Sequence, residues 1–92
     1  MIVNFFATFR SLTGTSASEF NLSQETTIRQ AVEAVINRYP VLRDKWLDAN
    51  GELYPYVHIY HHSGETAAII HDLDTTLKSD DILDFFPPVA GG

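Results

Sequence analysis

The residues whose chemistry stands apart are the last eight, Phe85-Phe86-Pro87-Pro88-Val89-Ala90-Gly91-Gly92. Two aromatics end a predicted strand. Two prolines then forbid further pairing, because neither has an N–H and each fixes φ. Gly91 and Gly92 carry no side chain, so the Gly92 carboxylate fits a site too narrow for any other residue pair. Glycine usually lets a backbone approach a ligand closely; here the chain end would itself be the ligand. Pro-Pro favours polyproline II, so residues 87–92 would project roughly 19 Å at about 3.1 Å per residue. The Gly92 carboxylate is therefore the candidate reactive group. Pro87, Pro88, Val89, Ala90 and Gly91 form the segment that would enter a partner's channel.

The other candidates read as structural. His58, His61, His62 and His71 invite a metal reading, but His61 and His62 are adjacent and face opposite sides of a strand. His58 and His62 can share a face, yet no Asp or Glu accompanies them in that strand. Solvated or edge histidines are expected, and no metal site. The chain has no cysteine, so it has neither a disulfide framework nor a thiolate zinc site. It has no nucleophile elbow, Walker loop or dinucleotide fingerprint. Ser11, Ser16, Ser18 and Ser63 lack the context of a nucleophile, and Asp80-Asp81 reads as a tight-turn pair. No active site built from side chains is expected, so the chain should not be an enzyme by itself.

Charge narrows the partners. The net charge is −6, which argues against nucleic acid, whose phosphates demand Lys/Arg clusters. Asp72, Asp74, Asp80, Asp81 and Asp84 crowd into one stretch with Lys78 as the lone base among them. A solvated acidic face is the first reading; steering toward a basic partner is the other. No apolar run reaches the ~18 residues of a membrane span. No signal peptide is visible either, so a soluble, cytoplasmic protein without a membrane partner is expected.

The elements that must position the tail follow in order. Ile2 to Phe9 alternates, with Val3, Phe5, Ala7 and Phe9 on one side, and predicts a first strand. Phe6 falls on the mixed face, either covered by a neighbour or exposed for a partner. Thr13-Gly14-Thr15-Ser16 is turn chemistry, and Glu19 to Leu22 predicts a second strand in a hairpin. Ile28, Ala31, Val32, Val35, Ile36 and Tyr39 form one apolar helical stripe. Thr27 and Gln30 fit a capping box, and Pro40 stops the helix. Val41, Leu42, Trp46 and Leu47 suggest a further helical turn, with Trp46 in the core. Tyr56 to Tyr60 predicts a strand, Ser63-Gly64 a turn, Ala67 to Ile70 a short return strand and Ile82 to Phe86 the last strand.

Strand, strand, helix, two or three strands and tail make an α+β arrangement with one main helix across a mixed sheet. If the first and last strands pair centrally and in parallel, the helix lies in a right-handed crossover. That is a β-grasp, with residues 1–86 as the domain and 87–92 as a flexible, extended Gly-Gly tail.

With these residues in place the chain resembles the ubiquitin-like sulfur carriers, most closely the small subunit of molybdopterin synthase. Phe85 to Gly92 carries the likeness most specifically. Val3 to Arg10 with Thr13-Gly14, and Leu73 to Ile82, resemble that family's first strand and the segment before its last strand. His61-His62-Ser63-Gly64 and Ser79 depart from the family's usual Asn-Gly turn and Gly, which bears on subfamily.

The resemblance implies that this chain is a co-substrate and binds no cofactor. An E1-like enzyme, using ATP and Mg²⁺, would adenylate the Gly92 carboxylate. A sulfur donor, a sulfurtransferase, would convert it to a thiocarboxylate. The large subunit of molybdopterin synthase would then take the tail, and the sulfur would pass to a pterin precursor. Phe6 and Phe86, on the face near the tail, are the candidate anchors for that subunit. Two alternatives use the same Gly92: a ubiquitin-like modifier joined to protein lysines, and a sulfur carrier for cysteine or thiazole synthesis. A plain β-grasp binding module with an inert tail is a third.

Overall fold

The helix with the strongest sequence signal forms as expected in the computed structural model, which describes residues 1–23 and 25–88. The strands and helices in chain order are β1 (Ile2–Phe5), α1 (Thr8–Thr13), β2 (Ala17–Glu19), α2 (Ile28–Arg38), α3 (Arg43–Trp46), β3 (His58–Ser63), β4 (Thr66–Ile69) and β5 (Ile82–Phe86). At the start of α2, Thr27 Oγ1 accepts the Gln30 N–H at 3.2 Å, while Gln30 Oε1 accepts the Thr27 N–H at 2.9 Å. Two orphan donors are thereby satisfied. Ile28, Ala31, Val32, Val35 and Ile36 are all buried on one side of the helix. Pro40 ends it and opens a 3₁₀ turn, Pro40–Leu42, which leads into α3. This bend seats Leu42 and Trp46 in the core, both without exposed surface.

Among the described residues, five strands make one mixed sheet in the order β2-β1-β5-β3-β4. β1 and β5 are its parallel centre, with Ile2 opposite Ile82 and Phe5 opposite Phe85. The flanking pairs, β1–β2, β5–β3 and β3–β4, are antiparallel. This is the ubiquitin-like β-grasp. The sheet's inner face carries Val3, Phe5, Ile59, Leu83 and Phe85, each almost wholly buried.

Four boundaries differ from the sequence reading, of which β4, at Thr66–Ile69 rather than Ala67 to Ile70, moves by one residue only. The first strand ends at Phe5, not Phe9. Ala7 takes a positive φ of 51° and the chain turns into α1. Phe5 and Phe9 both reach the core, because a helical turn and a strand alternation each bring such a pair inward. Accordingly β1 and β2 pair but are joined through α1 rather than a tight turn. Gly14 closes α1 in the left-handed region at φ 78°, where a side chain is disfavoured. β2 spans Ala17–Glu19, so Phe20 is buried just beyond it, with the Arg38 guanidinium 3.8 Å above its ring. β3 begins at His58 rather than Tyr56. Tyr56 is instead exposed and stacks on Tyr54 at 4.8 Å.

Candidate functional site

β1 and β5 run in parallel and stop together, and that end launches the tail. Phe85 is fully buried and stacks on Trp46, with centroids 4.3 Å apart and planes 15° apart. Phe5 and Phe9 complete the cluster around the indole, at 6.5 and 5.5 Å. The penultimate strand residue is therefore clamped from the core side. The next residue points the other way, because successive strand side chains alternate. The Phe86 ring lies on the outer face and stacks on Phe6 at 4.2 Å with 12° between planes. Phe6 N–H donates to Phe85 O at 3.2 Å, which holds the two aromatics level. Phe6 keeps 37% of its surface exposed. His58 lies opposite Phe86 in the β3 register.

Phe6 and Phe86, the candidate anchors of the sequence reading, both turn to the outer face, Phe6 exposed and Phe86 half-buried. That they form one stacked platform is new. Pro87 and Pro88 follow at once, outside any strand, and Pro88 is exposed. Val89, Ala90, Gly91 and Gly92, which hold the expected reactive carboxylate and most of the channel segment, lie outside the described residues.

Below the platform the outer face turns polar. Asn4 Nδ2 donates to Asp84 Oδ1 at 2.8 Å, and His62 Nε2 lies 2.7 Å from Asp84 Oδ2. The Tyr60 and His62 rings are 5.2 Å apart. On the other side of the strand, His61 Nε2 lies 2.8 Å from Asp81 Oδ2, and the Lys78 N–H donates to the same oxygen at 2.9 Å. Asp81 is only 1% exposed. Burial pushes its carboxyl upward, but the Lys78 N–H, the His61 imidazole and the Ser63 side chain outweigh this and hold it below the ordinary carboxylate value. The Met1 amino group donates to Ser79 O at 2.8 Å and Phe20 O at 3.0 Å, and so fastens the same turn.

These contacts correct two expectations. His61 and His62 are not solvated edge histidines: β3 lies between β5 and β4, and each ring meets a carboxylate. The acidic stretch is not one solvated face either. Asp81 is buried and Asp84 half-buried, while Asp72, Asp74 and Asp80 are exposed. Of these, Asp74 pairs with Arg29 at 3.3 Å. Among the described residues no group of three or more His, Cys, Asp or Glu converges as metal ligands would. What the site offers is a stacked aromatic base at the root of Pro87-Pro88.

Comparison with known proteins agrees with this geometry. A family model described as the ThiS family matches residues 3–92. Small archaeal modifier protein 3 of Haloferax volcanii is 28% identical over 90 residues, which cover 98% of this chain and 96% of that protein. The crystal structure of SAMP1 from Haloferax volcanii superposes with a TM-score of 0.86 at 25% identity, covering 99% of this chain and 97% of that one. A Pyrococcus furiosus protein described as molybdopterin converting factor, subunit 1, superposes with a TM-score of 0.69 at 25% identity, covering 96% of this chain and 95% of that one.

Proposed function

The chain belongs to the ThiS family of ubiquitin-like sulfur carriers, and on that premise we propose that Gly92 is its working group and molybdopterin synthesis its pathway. The Gly92 carboxylate attacks the α-phosphate of ATP in an E1-like enzyme that supplies Mg²⁺, giving an acyl-adenylate and pyrophosphate. A sulfur donor that delivers sulfide-level sulfur then attacks the acyl carbon, AMP leaves, and a C-terminal thiocarboxylate remains. The large subunit of molybdopterin synthase receives the tail, and the sulfur passes to a pterin precursor. The chain is a co-substrate in each step and binds no cofactor of its own. The setting is the cytoplasm, in keeping with the lack of any helix long and apolar enough to cross a membrane among the described residues.

The observation that carries this reading is the stacked Phe6–Phe86 platform at the root of Pro87-Pro88. Aromatic anchors dominate many interfaces, and a clamped Phe85 fixes where the tail begins. A partner that grips the platform receives the chain end at a set distance. The molybdopterin converting factor similarity supports the pathway. Intact mass spectrometry after incubation with the cognate activating enzyme, ATP, Mg²⁺ and a sulfur donor tests it: exchanging one oxygen for sulfur adds about 16 Da. Transfer of that sulfur to a pterin precursor by the large subunit tests the pathway.

A second reading has its own support, since a matching relative is named a small archaeal modifier protein. There the activated Gly92 carbonyl is attacked by a lysine amine, forming an isopeptide bond and releasing the activating group. Covalent ladders on cellular proteins distinguish this use from sulfur transfer to a small molecule.

A further inference from the structure

Among the described residues, β4 is an outer strand of the sheet and no strand pairs with its far edge. Thr66, Ala67, Ala68 and Ile69 are all exposed, Ile69 by 52%. Edge strands are commonly blunted by charge, proline or a bulge, because bare N–H and C=O groups invite pairing. This strand has no charged residue and no proline, and its register with β3 is continuous.

The register also fixes which groups face outward. Ser63 lies opposite Thr66, and Ile70 donates its N–H to Ile59 O at 2.9 Å. Backbone groups alternate in an antiparallel pair, so Thr66, Ala68 and Ile70 face β3. Ala67 and Ile69 present their N–H and C=O to the free edge. Their side chains share the sheet's outer face with Tyr60 and His62, their partners across β3.

We infer that this edge is a self-association surface, and that its occupant is β4 of a second copy of this chain. An antiparallel pair about a two-fold axis at Ala68 sets Ala67 opposite Ile69 of the second copy, and Ile69 opposite its Ala67. Every outward N–H and C=O of these residues then finds a partner, so the edge is complementary to itself, as an isologous contact requires. The same register sets the Glu65 carboxylate opposite His71 of the second copy, an acceptor facing a ring with an N–H donor, at both ends. Each Ile69 gains an apolar neighbour. β3 separates β4 from β5, so the pairing leaves Phe6, Phe86 and the prolines uncovered.

So short a contact falls in the weak, transient class, below about 1,200 Å² of buried surface. Sedimentation velocity from about 10 μM to about 1 mM spans the affinities such contacts have. The average mass of the full chain should rise from 10.3 kDa toward twice that value. The amide signals of Ala67 and Ile69 should shift with concentration in the same range. Ala67→Pro removes an outward N–H while sparing the β3 ladder, the position at which an edge strand tolerates proline. Ile69→Lys places charge on the edge. Each should raise the dimer dissociation constant at least about tenfold, with circular dichroism unchanged. If Ala67→Pro fails to fold, Ile69→Lys decides. A wild-type chain that stays at 10.3 kDa throughout, or an Ile69→Lys chain that associates as the wild type does, overturns the inference.

Discussion

Phe5-Phe6 and Phe85-Phe86 are the same dipeptide twice, set side by side where the two central strands end, and the pleat gives their halves opposite tasks. Phe5 and Phe85 turn inward, lose nearly all exposure and close on Trp46. Phe6 and Phe86 turn outward and stack, Phe6 exposed and Phe86 half-buried. Residue type is held constant and the face differs: Phe85 and Phe86 alternate within β5, and Phe6 turns outward just past the end of β1. The inner pair is held by burial, worth about 1.5–3 kcal/mol for a fully buried side chain of this kind. The outer pair retains apolar surface that a partner can cover. One segment thus anchors the fold and presents the stacked face that we propose as a docking platform, at the root of Pro87-Pro88.

Removing the inner ring should have the largest effect. Phe85→Ala should cost about 3–5 kcal/mol, as such core truncations do, read as a fall in the urea midpoint at constant slope. A loss under about 1 kcal/mol would mean that Trp46 is not held from this side.

Next comes the turn that delivers β5. Asp81→Asn should cost about 1–3 kcal/mol near pH 7, the range for disturbing a buried hydrogen-bonded group. Its pH dependence has a definite sign. The folded carboxyl titrates below its unfolded value of about 3.9, so its contribution is present at neutral pH. That contribution is lost as pH falls below the unfolded value and through the folded one. Urea midpoints taken down the acid limb should fall more steeply for the wild type than for Asp81→Asn. Parallel curves would show that the carboxylate is not linked to folding.

The outer pair should affect stability least. Phe6→Ala and Phe86→Ala should each cost under about 1.5 kcal/mol of folding, the scale of an exposed aromatic pair. Each should nevertheless weaken binding to the proposed partner, the large subunit of molybdopterin synthase, about tenfold or more, as anchor truncations do. Calorimetric titration of both variants reads this directly, and unchanged affinity in both would remove the platform from the interface. A loss of stability equal to that of Phe85→Ala would erase the distinction between the two faces.

What was legible in the chain was local. Helix α2 needs neighbours no more than four residues apart, and both its capping box and its stripe were visible. The stop after Phe86 was legible for the same reason, since Pro87 and Pro88 act on their own backbone. The end of β1 was not, because Phe5 and Phe9 satisfy a strand alternation and a helical spacing equally, and only the reversal at Ala7 separates them. The His61–Asp81 and His62–Asp84 contacts join residues 20 and 22 positions apart. No spacing within β3 foretells them; the register of β3 against β5 does. For the same reason Phe6 and Phe86 could be chosen as outward aromatics while their stacking stayed hidden until the parallel pairing was known.

We propose that the chain end, rather than any side chain, is the reactive part, and a comparison of the wild type with a chain lacking Gly92 tests this. Both would be incubated with the cognate activating enzyme, ATP, Mg²⁺ and a sulfur donor, then weighed intact, with circular dichroism to compare folding. The wild type should gain about 16 Da, and the shortened chain should gain nothing. One residue moves an extended chain end by about 3 Å, and misplacing a reacting group by ~1 Å already costs roughly a hundredfold in rate. A shortened chain that folds, accepts sulfur and passes it on at the wild-type rate would contradict the account.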